Sequence, residues 1–166
     1  MAEQDANQQP ENEQPQAHFS VQRLYLKDAS YEAPGAPGIF AKDWKPEVNL
    51  DLNTRTQKVN DNHYEVVLKL TATAKCAGET AFLVEIQQAG LFKVENIEGP
   101  NLQHTLGAFC PTILFPYARE AVDNLANKGS FPPLMLAPVN FEALFAEQMK
   151  QQQQQQEEQP AAQETH

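Results

Sequence analysis

Residues 99–129 carry the pattern of one long amphipathic helix, which constrains the fold more than any other part of the sequence. Proline occurs inside it at Pro111 and Pro116. An interior proline removes an amide donor and clashes with the preceding turn, so such a helix needs strong packing on one face. Apolar residues spaced three and four apart supply that face: Leu102, Leu106, Phe109, Cys110, Ile113, Leu114, Tyr117, Ala118, Ala121, Val122 and Leu125. The sequence therefore predicts a second layer for this face to cover.

Four segments before the helix alternate between apolar and polar residues, as half-buried strands do. They span residues 19–31, 48–53, 65–73 and 81–86. In the first segment, one apolar face is predicted from the odd positions Phe19, Val21, Tyr25 and Tyr31. Strands followed by helices predict an α+β fold, with a four-stranded antiparallel sheet and a long and a short helix packed on one face.

The boundaries of the helices have sequence signals of their own. Gly99-Pro100-Asn101 begins the long helix, and Gly129 is predicted to end it in the C′ position, where glycine is common. An extended proline-rich segment follows at 131–138. Asn140 is a candidate N-cap for a short amphipathic helix at 141–145.

The connection at 32–47 is a functional candidate. Its proline and glycine content excludes a regular helix, yet it carries Ile39, Phe40 and Trp44, which is unusual for a solvated loop. Long loops with aromatic content are often functional. The alternative from the residues alone is that these side chains simply pack on the core.

The composition predicts one folded domain, residues 19–149, between two disordered tails. Residues 1–18 form an acidic tail with four acids and no basic residue, and residues 150–166 form a glutamine-rich acidic tail. All 12 basic residues lie between Arg23 and Lys150, where the net charge is only −3. Without a basic stripe, nucleic acid is not an expected partner. The acidic surface favours basic protein partners.

No catalytic constellation is visible, so we expect a protein that is not an enzyme and that uses no cofactor. A glycine-rich phosphate loop and HExxH are both missing. Cys110 lies in the apolar stripe and reads as a buried thiol rather than a nucleophile paired with His104. His63 beside Asp61 reads as a solvated turn histidine. The spacing of cysteines and histidines matches no zinc site, and no metal is expected.

The sequence also predicts a cytoplasmic location. The start of the chain lacks a cationic segment followed by an apolar run, so no signal peptide is expected. No apolar run has the length of a membrane span. Two cysteines, Cys76 and Cys110, fit free thiols in a reducing compartment.

Five ordered motifs resemble the SecB family of bacterial protein-export chaperones. They are Asp43–Glu47 with Leu50–Leu52, Tyr64–Leu68, Glu79–Leu83, Ile113–Glu120 and Phe131–Phe141. The match runs from about residue 19 to about residue 149 without large gaps. The resemblance implies a homotetramer built as a dimer of dimers, with the long helices in the inter-dimer contact.

The resemblance also implies an ATP-independent function. Such chaperones bind non-native secretory precursors in the cytoplasm, keep them unfolded and deliver them to SecA, the export motor, without inserting into the membrane. It places an unfolded-client groove along the crossover loop, near Trp44, Val48, Leu50 and Leu52. Phe40 and Tyr25 are further groove candidates, as is Phe145.

Asp28, Glu32, Leu83 and Glu85 match the positions with which SecB chaperones dock the basic zinc-binding C-terminal tail of SecA. The zinc belongs to that partner. If the first and fourth strands are neighbours, the parity of these positions places all four on the solvent face of the sheet. From the residues alone, an ordinary solvated acidic face is the alternative.

Two rival functions stay open. A general or toxin-linked SecB-like holdase would serve clients without SecA, although it would not need the acidic set. A small α+β enzyme would use an apolar groove as a substrate pocket. Binding of unfolded chains without turnover of a small molecule counts against the enzyme.

Overall fold

The computed structural model describes residues 14–158. Four strands come first: β1 (His18–Glu32), β2 (Pro46–Lys58), β3 (His63–Cys76) and β4 (Glu79–Glu95). A helical run follows as α1 (Gly99–His104), a π-helical turn (Thr105–Phe109) and α2 (Cys110–Lys128). The last helix is α3 (Phe141–Glu158). The predicted α+β order of elements is therefore confirmed.

The four strands form one antiparallel sheet in the order β1-β4-β3-β2. All strands extend beyond the predicted segments, and β4 does so most. The predicted fourth segment stops at residue 86, whereas β4 continues through Gln87, Gln88 and Gly90. Sequence alternation weakens there because Gln88 is polar yet buried. Pairing on both sides, with β1 and β3, holds this part in the sheet.

The helices cover one side of the sheet, here called the helix face, and the core lies between the two layers. From the strands the core takes the alternate residues Leu68, Leu70, Ala72, Phe82, Val84 and Ile86. From the helical run it takes Leu106, Cys110, Leu114, Ala118 and Val122. The opposite side of the sheet, here called the outer face, carries most of the charged strand residues.

The π-helical turn explains how the helical run tolerates Pro111. A proline clashes with the carbonyl four residues before it, and for Pro111 that residue is Gly107, inside the turn. The wider turn opens the hydrogen-bond ladder at this point. The Thr112 hydroxyl donates to the Ala108 carbonyl at 2.8 Å. Pro116 lies inside α2. The buried residues Leu114, Phe115 and Ala118 flank it in the helix.

Two β-bulges in β1 change which residues face the helices. The register shifts between Val21 and Arg23 and again between Leu26 and Asp28. Each shift reverses the alternation between faces. Tyr25 therefore pairs with Ala89 on the outer face. The prediction that Tyr25 shares a face with Phe19, Val21 and Tyr31 is wrong, because a strict period of two holds only without bulges.

Helix α2 ends at Lys128 as predicted, but Gly129 does not have the left-handed conformation expected at C′. Its φ is −81°, and Ser130 is the residue with positive φ, at 66°. Glycine is needed at 129 for space. A Cβ there would lie 1.7 Å from the hydroxyl oxygen of Tyr31. The glycine thus allows β1 and the end of α2 to approach.

Helix α3 is longer than the short segment predicted. The N-cap is confirmed, since the Asn140 Oδ1 accepts from the Ala143 amide at 3.1 Å. The helix then continues through the six glutamines to Glu158. Glutamine has good helix propensity, and the run contains no β-branched residue, glycine or proline to stop it. The predicted tail 1–18 lies mostly outside the described residues, as does 159–166.

Candidate functional site

An aromatic cluster lies where the connection between β1 and β2 crosses the end of the sheet. Phe131, just after α2, is buried at its centre, with its ring centroid 4.9 Å from that of Phe82 on β4. The rings of Trp44 and Phe40 lie 5.2 Å and 5.1 Å from it. Trp44 is half-buried and Phe40 is 50% exposed. The cluster therefore has a buried floor and an exposed rim.

A strip of aliphatic side chains continues from this cluster along β2. Val48, Leu50 and Leu52 lie on the helix face, because their partners in β3 are core residues. Val48 is 40% exposed, and the two leucines are half-buried. β2 is an edge strand, so one side of its backbone has no neighbour in the described sheet. The strip thus offers apolar area beside unpaired backbone donors and acceptors.

Two cavities extend the strip beneath α3. One, of about 200 Å³, is lined by Leu52, Phe141, Leu144 and Phe145 among others. The other, of about 510 Å³, lies between β2, the π-helical turn and α3. Gln152 and Gln156 of the glutamine run line this second cavity. The glutamines therefore extend the wall of the groove.

Gly107 sets the position of α3 over these cavities. A Cβ at this position would lie 2.6 Å from the ring of Phe145. Only glycine leaves room for the ring to rest on the π-helical turn. The ring of Phe145 also stands edge-on to His104, whose imidazole contacts the carboxylate of Glu142. These contacts hold the first part of α3 against the helical run.

Five of the six predicted groove residues lie along this continuous surface, which we call the apolar groove. They are Phe40, Trp44, Val48, Leu50 and Leu52. Tyr25 does not, because the bulges place it on the outer face. Sequence reasoning also missed Phe131 and Leu144 as groove residues. The Phe131-Pro132-Pro133 motif was a usable signal for the first, but Leu144 requires knowing how α3 docks.

The acidic set is brought together on the outer face. β1 and β4 are neighbours, with Glu32 opposite Leu83 and Ser30 opposite Glu85. Asp28 is opposite Gln87, the next pair on the same face. Glu85 forms a 3.2 Å ion pair with Lys69, and both side chains are partly exposed. Exposed pairs contribute at most about 1 kcal/mol, so a basic ligand can displace Lys69.

Tyr25 belongs instead to a polar network on the outer face. Its hydroxyl donates to the Glu65 carboxylate, which also accepts from the Lys27 amine at 2.7 Å and 2.9 Å. The hydrogen bonds from Lys27 and Tyr25 lower the pKa of Glu65. Burial, together with the bond to Glu65, raises the pKa of Tyr25 to about 12. The network ties β1 to β3 across β4.

The described residues offer little for catalysis. Burial raises the pKa of Cys110 to about 12, so its thiol stays protonated and inert near neutral pH. Cys76 is also buried, and its thiol donates to the Asp43 carbonyl at 3.0 Å. Within 14–158, no group of three His, Cys, Asp or Glu side chains has metal-site geometry. None of the helices there is both long and apolar enough to cross a membrane.

Comparison with known proteins gives consistent relatives. A family model described as preprotein translocase subunit SecB matches residues 11–152. The protein-export protein SecB of Marinobacter nauticus is 55% identical over 153 residues, covering 92% of this chain and 93% of that protein. The protein-export protein SecB of Hahella chejuensis is 59% identical over 133 residues, covering 80% and 84%.

A solved structure agrees in fold. It is a SecB-like chaperone of Mycobacterium tuberculosis in complex with a peptide from an antitoxin, with a TM-score of 0.61 and 18% identity. The similarity covers 73% of this chain and 90% of that one. The family model covers most of the chain, and the relatives above exceed half identity over four-fifths of it or more. The chain therefore belongs to the SecB family of protein-export chaperones.

Proposed function

We propose that this chain holds non-native secretory precursors in its apolar groove, without nucleotide, and hands them to SecA. The groove itself carries this proposal. It joins an aromatic cluster to an aliphatic strip along an edge strand, and parts of both remain exposed. An unfolded precursor exposes the apolar side chains that its native state hides. Burial of apolar area is non-directional, so one groove accepts many sequences.

The edge strand adds contacts that do not depend on client sequence. Backbone groups along the free side of β2 can pair with an extended client segment. Several weak contacts in one assembly raise the overall affinity through effective concentration. Fast local dissociation then allows release without an energy source. These features suit a chaperone that retards folding and delivers its client still unfolded.

The acidic set is proposed to receive the basic zinc-binding tail of SecA. Asp28, Glu32 and Glu85 present carboxylates around Leu83 on the outer face, away from the groove. Acidic complementarity would steer and orient a basic tail. Because groove and acidic set lie on opposite faces, client and motor need not compete for the same surface. Delivery of this kind takes place in the cytoplasm.

The client proposal is tested by titrating one secretory precursor into the protein, in folded and in urea-diluted form, without nucleotide. We expect heat of binding only for the non-native form. Val48→Asp should weaken this binding by about tenfold, since it places a charge in the groove. Tyr25→Ala, on the outer face, is the control and should leave client affinity unchanged. Equal binding of both forms, or of neither, would remove the holdase function.

The SecA proposal is tested by titrating the zinc-loaded C-terminal tail of SecA. Glu85→Lys should weaken binding by about tenfold or more, because it turns an attractive contact into a repulsive one. Glu79→Lys, an exposed acid at the start of β4 outside the acidic set, is the matched control. Full affinity in Glu85→Lys would favour the general holdase without SecA delivery.

A further inference from the structure

The apolar groove changes character towards the end of β2. Up to Leu52 the residues of β2 on the helix face are aliphatic, whereas Thr54 and Thr56 continue the same face with hydroxyl groups, opposite core residues of β3. Helix α3 changes in the same way, from Phe145 to Gln148. Thr54, Phe145 and Gln148 line both of the cavities beneath α3, so the two changes meet at one place. A polar compartment therefore adjoins the apolar one.

The larger cavity, of about 510 Å³, is this polar compartment, which we call the polar trough. Its polar side chains come from β2, the helical run and α3: Thr54, Thr56, Gln103, Gln148, Gln152 and Gln156. Charged residues make up 20% of the sequence, yet among the described residues none lines either cavity. Hydroxyl and amide groups both donate and accept hydrogen bonds. The lining therefore suits a neutral ligand that also does both.

The glutamines of the trough recur at a spacing close to that of an extended peptide. Gln148, Gln152 and Gln156 are four residues apart, so they lie one above another on α3 at steps of about 6 Å. In an extended chain, every second residue points the same way, and these residues recur at about 6.7 Å. An extended segment along α3 would thus meet a side-chain amide at every second residue.

Other classes of ligand fit the trough less well. A charged ligand would leave water without a counter-charge in the lining, which is costly. A purely apolar segment would displace water from the amides without replacing its hydrogen bonds. A peptide backbone carries both donors and acceptors in every residue. Apolar side chains of the same peptide would fit the adjoining cavity, which Leu52, Phe141 and Leu144 line.

We propose that the polar trough binds the backbone of an extended client segment, with the amides of Gln152 and Gln156 as hydrogen-bonding partners that do not depend on client sequence. This inference rests on the proposed holdase function and specifies its substrate. The preferred client segment joins an apolar stretch, held in the apolar groove, to a stretch without charged side chains. The glutamine run is thus part of the client site.

The test uses twin peptide probes that differ only in the backbone. Each has a central apolar stretch with alternating serine and alanine on either side. In one twin the serine and alanine amides are N-methylated, which removes the backbone donors and keeps every side chain. Titrated without nucleotide, the unaltered protein should bind the unmethylated twin about fivefold tighter or more, as one or two net hydrogen bonds would give.

Gln152→Ala with Gln156→Ala should bring the affinities of the twins to within about twofold of each other. Gln151→Ala with Gln155→Ala makes the same change at the same spacing, at glutamines that do not line the trough, and should keep the full ratio. Alanine has a higher helix propensity than glutamine, so α3 persists in both variants. The ratio compares twins on one protein, so a general change in affinity cancels.

The outcomes separate this inference from the proposed function. Twins that bind the unaltered protein equally well would overturn the inference and leave the holdase function in place, whereas binding of neither twin would overturn both. A ratio that persists in Gln152→Ala with Gln156→Ala would assign the backbone contacts to β2 and overturn the role of the glutamines. If a second copy fills the trough instead, the twins should bind alike and this variant should have a smaller assembled mass by light scattering.

Discussion

At the scale of single residues, Glu65 has the most constrained charge on the outer face. Only 12% of its side chain is exposed, and it accepts hydrogen bonds from both Tyr25 and Lys27. Hydrogen bonds to an ionised group contribute more than neutral ones, because the charge strengthens each bond. The ionised carboxylate is therefore part of what holds β1 to the rest of the sheet.

This network predicts a stability that depends on pH. The pKa of Glu65 is lowered in the folded protein, so its contribution is fully present above the usual value of 4.5 and is lost as the pH falls through the lower folded value. Glu65→Gln should lower the free energy of unfolding near neutral pH by about 2 kcal/mol. Urea titrations at pH 7 and pH 3 should show this difference shrinking in acid.

Glu79→Gln is the control for that measurement. Glu79 pairs with Lys42, but 46% of its side chain is exposed, so its loss should cost at most about 1 kcal/mol. A difference between Glu65→Gln and the unaltered protein that is the same at both pH values would contradict the assignment of the charge to Glu65.

Tyr25 is the residue of β1 for which the sequence predicted the wrong face of the sheet. Parity correctly placed the acidic set on one face, because Asp28 and Glu32 both lie beyond the second bulge of β1 and because β1 pairs with β4, which carries Leu83 and Glu85. Tyr25 lies between the two bulges, and no residue pattern within β1 predicts where these bulges occur. Register depends on the pairing with β4, a contact distant in the sequence. Such shifts are visible only once the neighbour is known.

At the scale of elements, the strong periodic signals predicted the helix and the strands, and the weaker ones failed. The helix spacing and the alternation in β3 survive because the same residues form the core. The second half of β4 and the glutamine part of α3 lack that pattern. The second half of β4 is held in the sheet by pairing with β1 and β3. The glutamine part of α3 forms through helix propensity alone. The π-helical turn likewise has no simple sequence signature beyond the nearby Pro111.

Gly107→Ala should loosen the contact between α3 and the π-helical turn. The added methyl would lie 2.6 Å from the ring of Phe145, so the ring must move at a cost of about 1–3 kcal/mol. Hydrogen exchange of the amides in 141–149 should become faster. Gly38→Ala, where a Cβ meets nothing within 4 Å, is the matched control. Unchanged protection of α3 in Gly107→Ala would contradict this docking.

At the scale of the whole molecule, the single chain leaves apolar side chains exposed that an assembly would cover. Phe109 and Tyr117 are 46% and 48% exposed on the helical run, and Val21 is 41% exposed on β1. The Phe109 ring lies 5.1 Å from that of Phe19, which joins the helical part of this surface to β1. We propose that the chain assembles as a dimer of dimers and that this surface is one of its contacts.

Tyr117→Asp should therefore lower the assembled mass below that of four copies, since it places a charge in an apolar contact. Light scattering during gel filtration measures this directly at micromolar concentration. Val59→Asp, in the turn between β2 and β3 and 56% exposed, makes the same kind of change away from the surface. A tetramer that persists in Tyr117→Asp would place the inter-dimer contact elsewhere.

Each of the two bulges of β1 inserts one extra residue into this strand relative to β4. The first bulge reverses the face on which each later residue of the strand lies, and the second returns Ala29 and Tyr31 to the helix face. Removing a paired residue beyond the second bulge, such as Ala29, would send Ser30 and Glu32 toward the core and Tyr31 toward solvent. One strand can thus serve the interior and a charged exterior only while its paired residues keep this register with β4. Single-residue deletions here should be far more damaging than most substitutions.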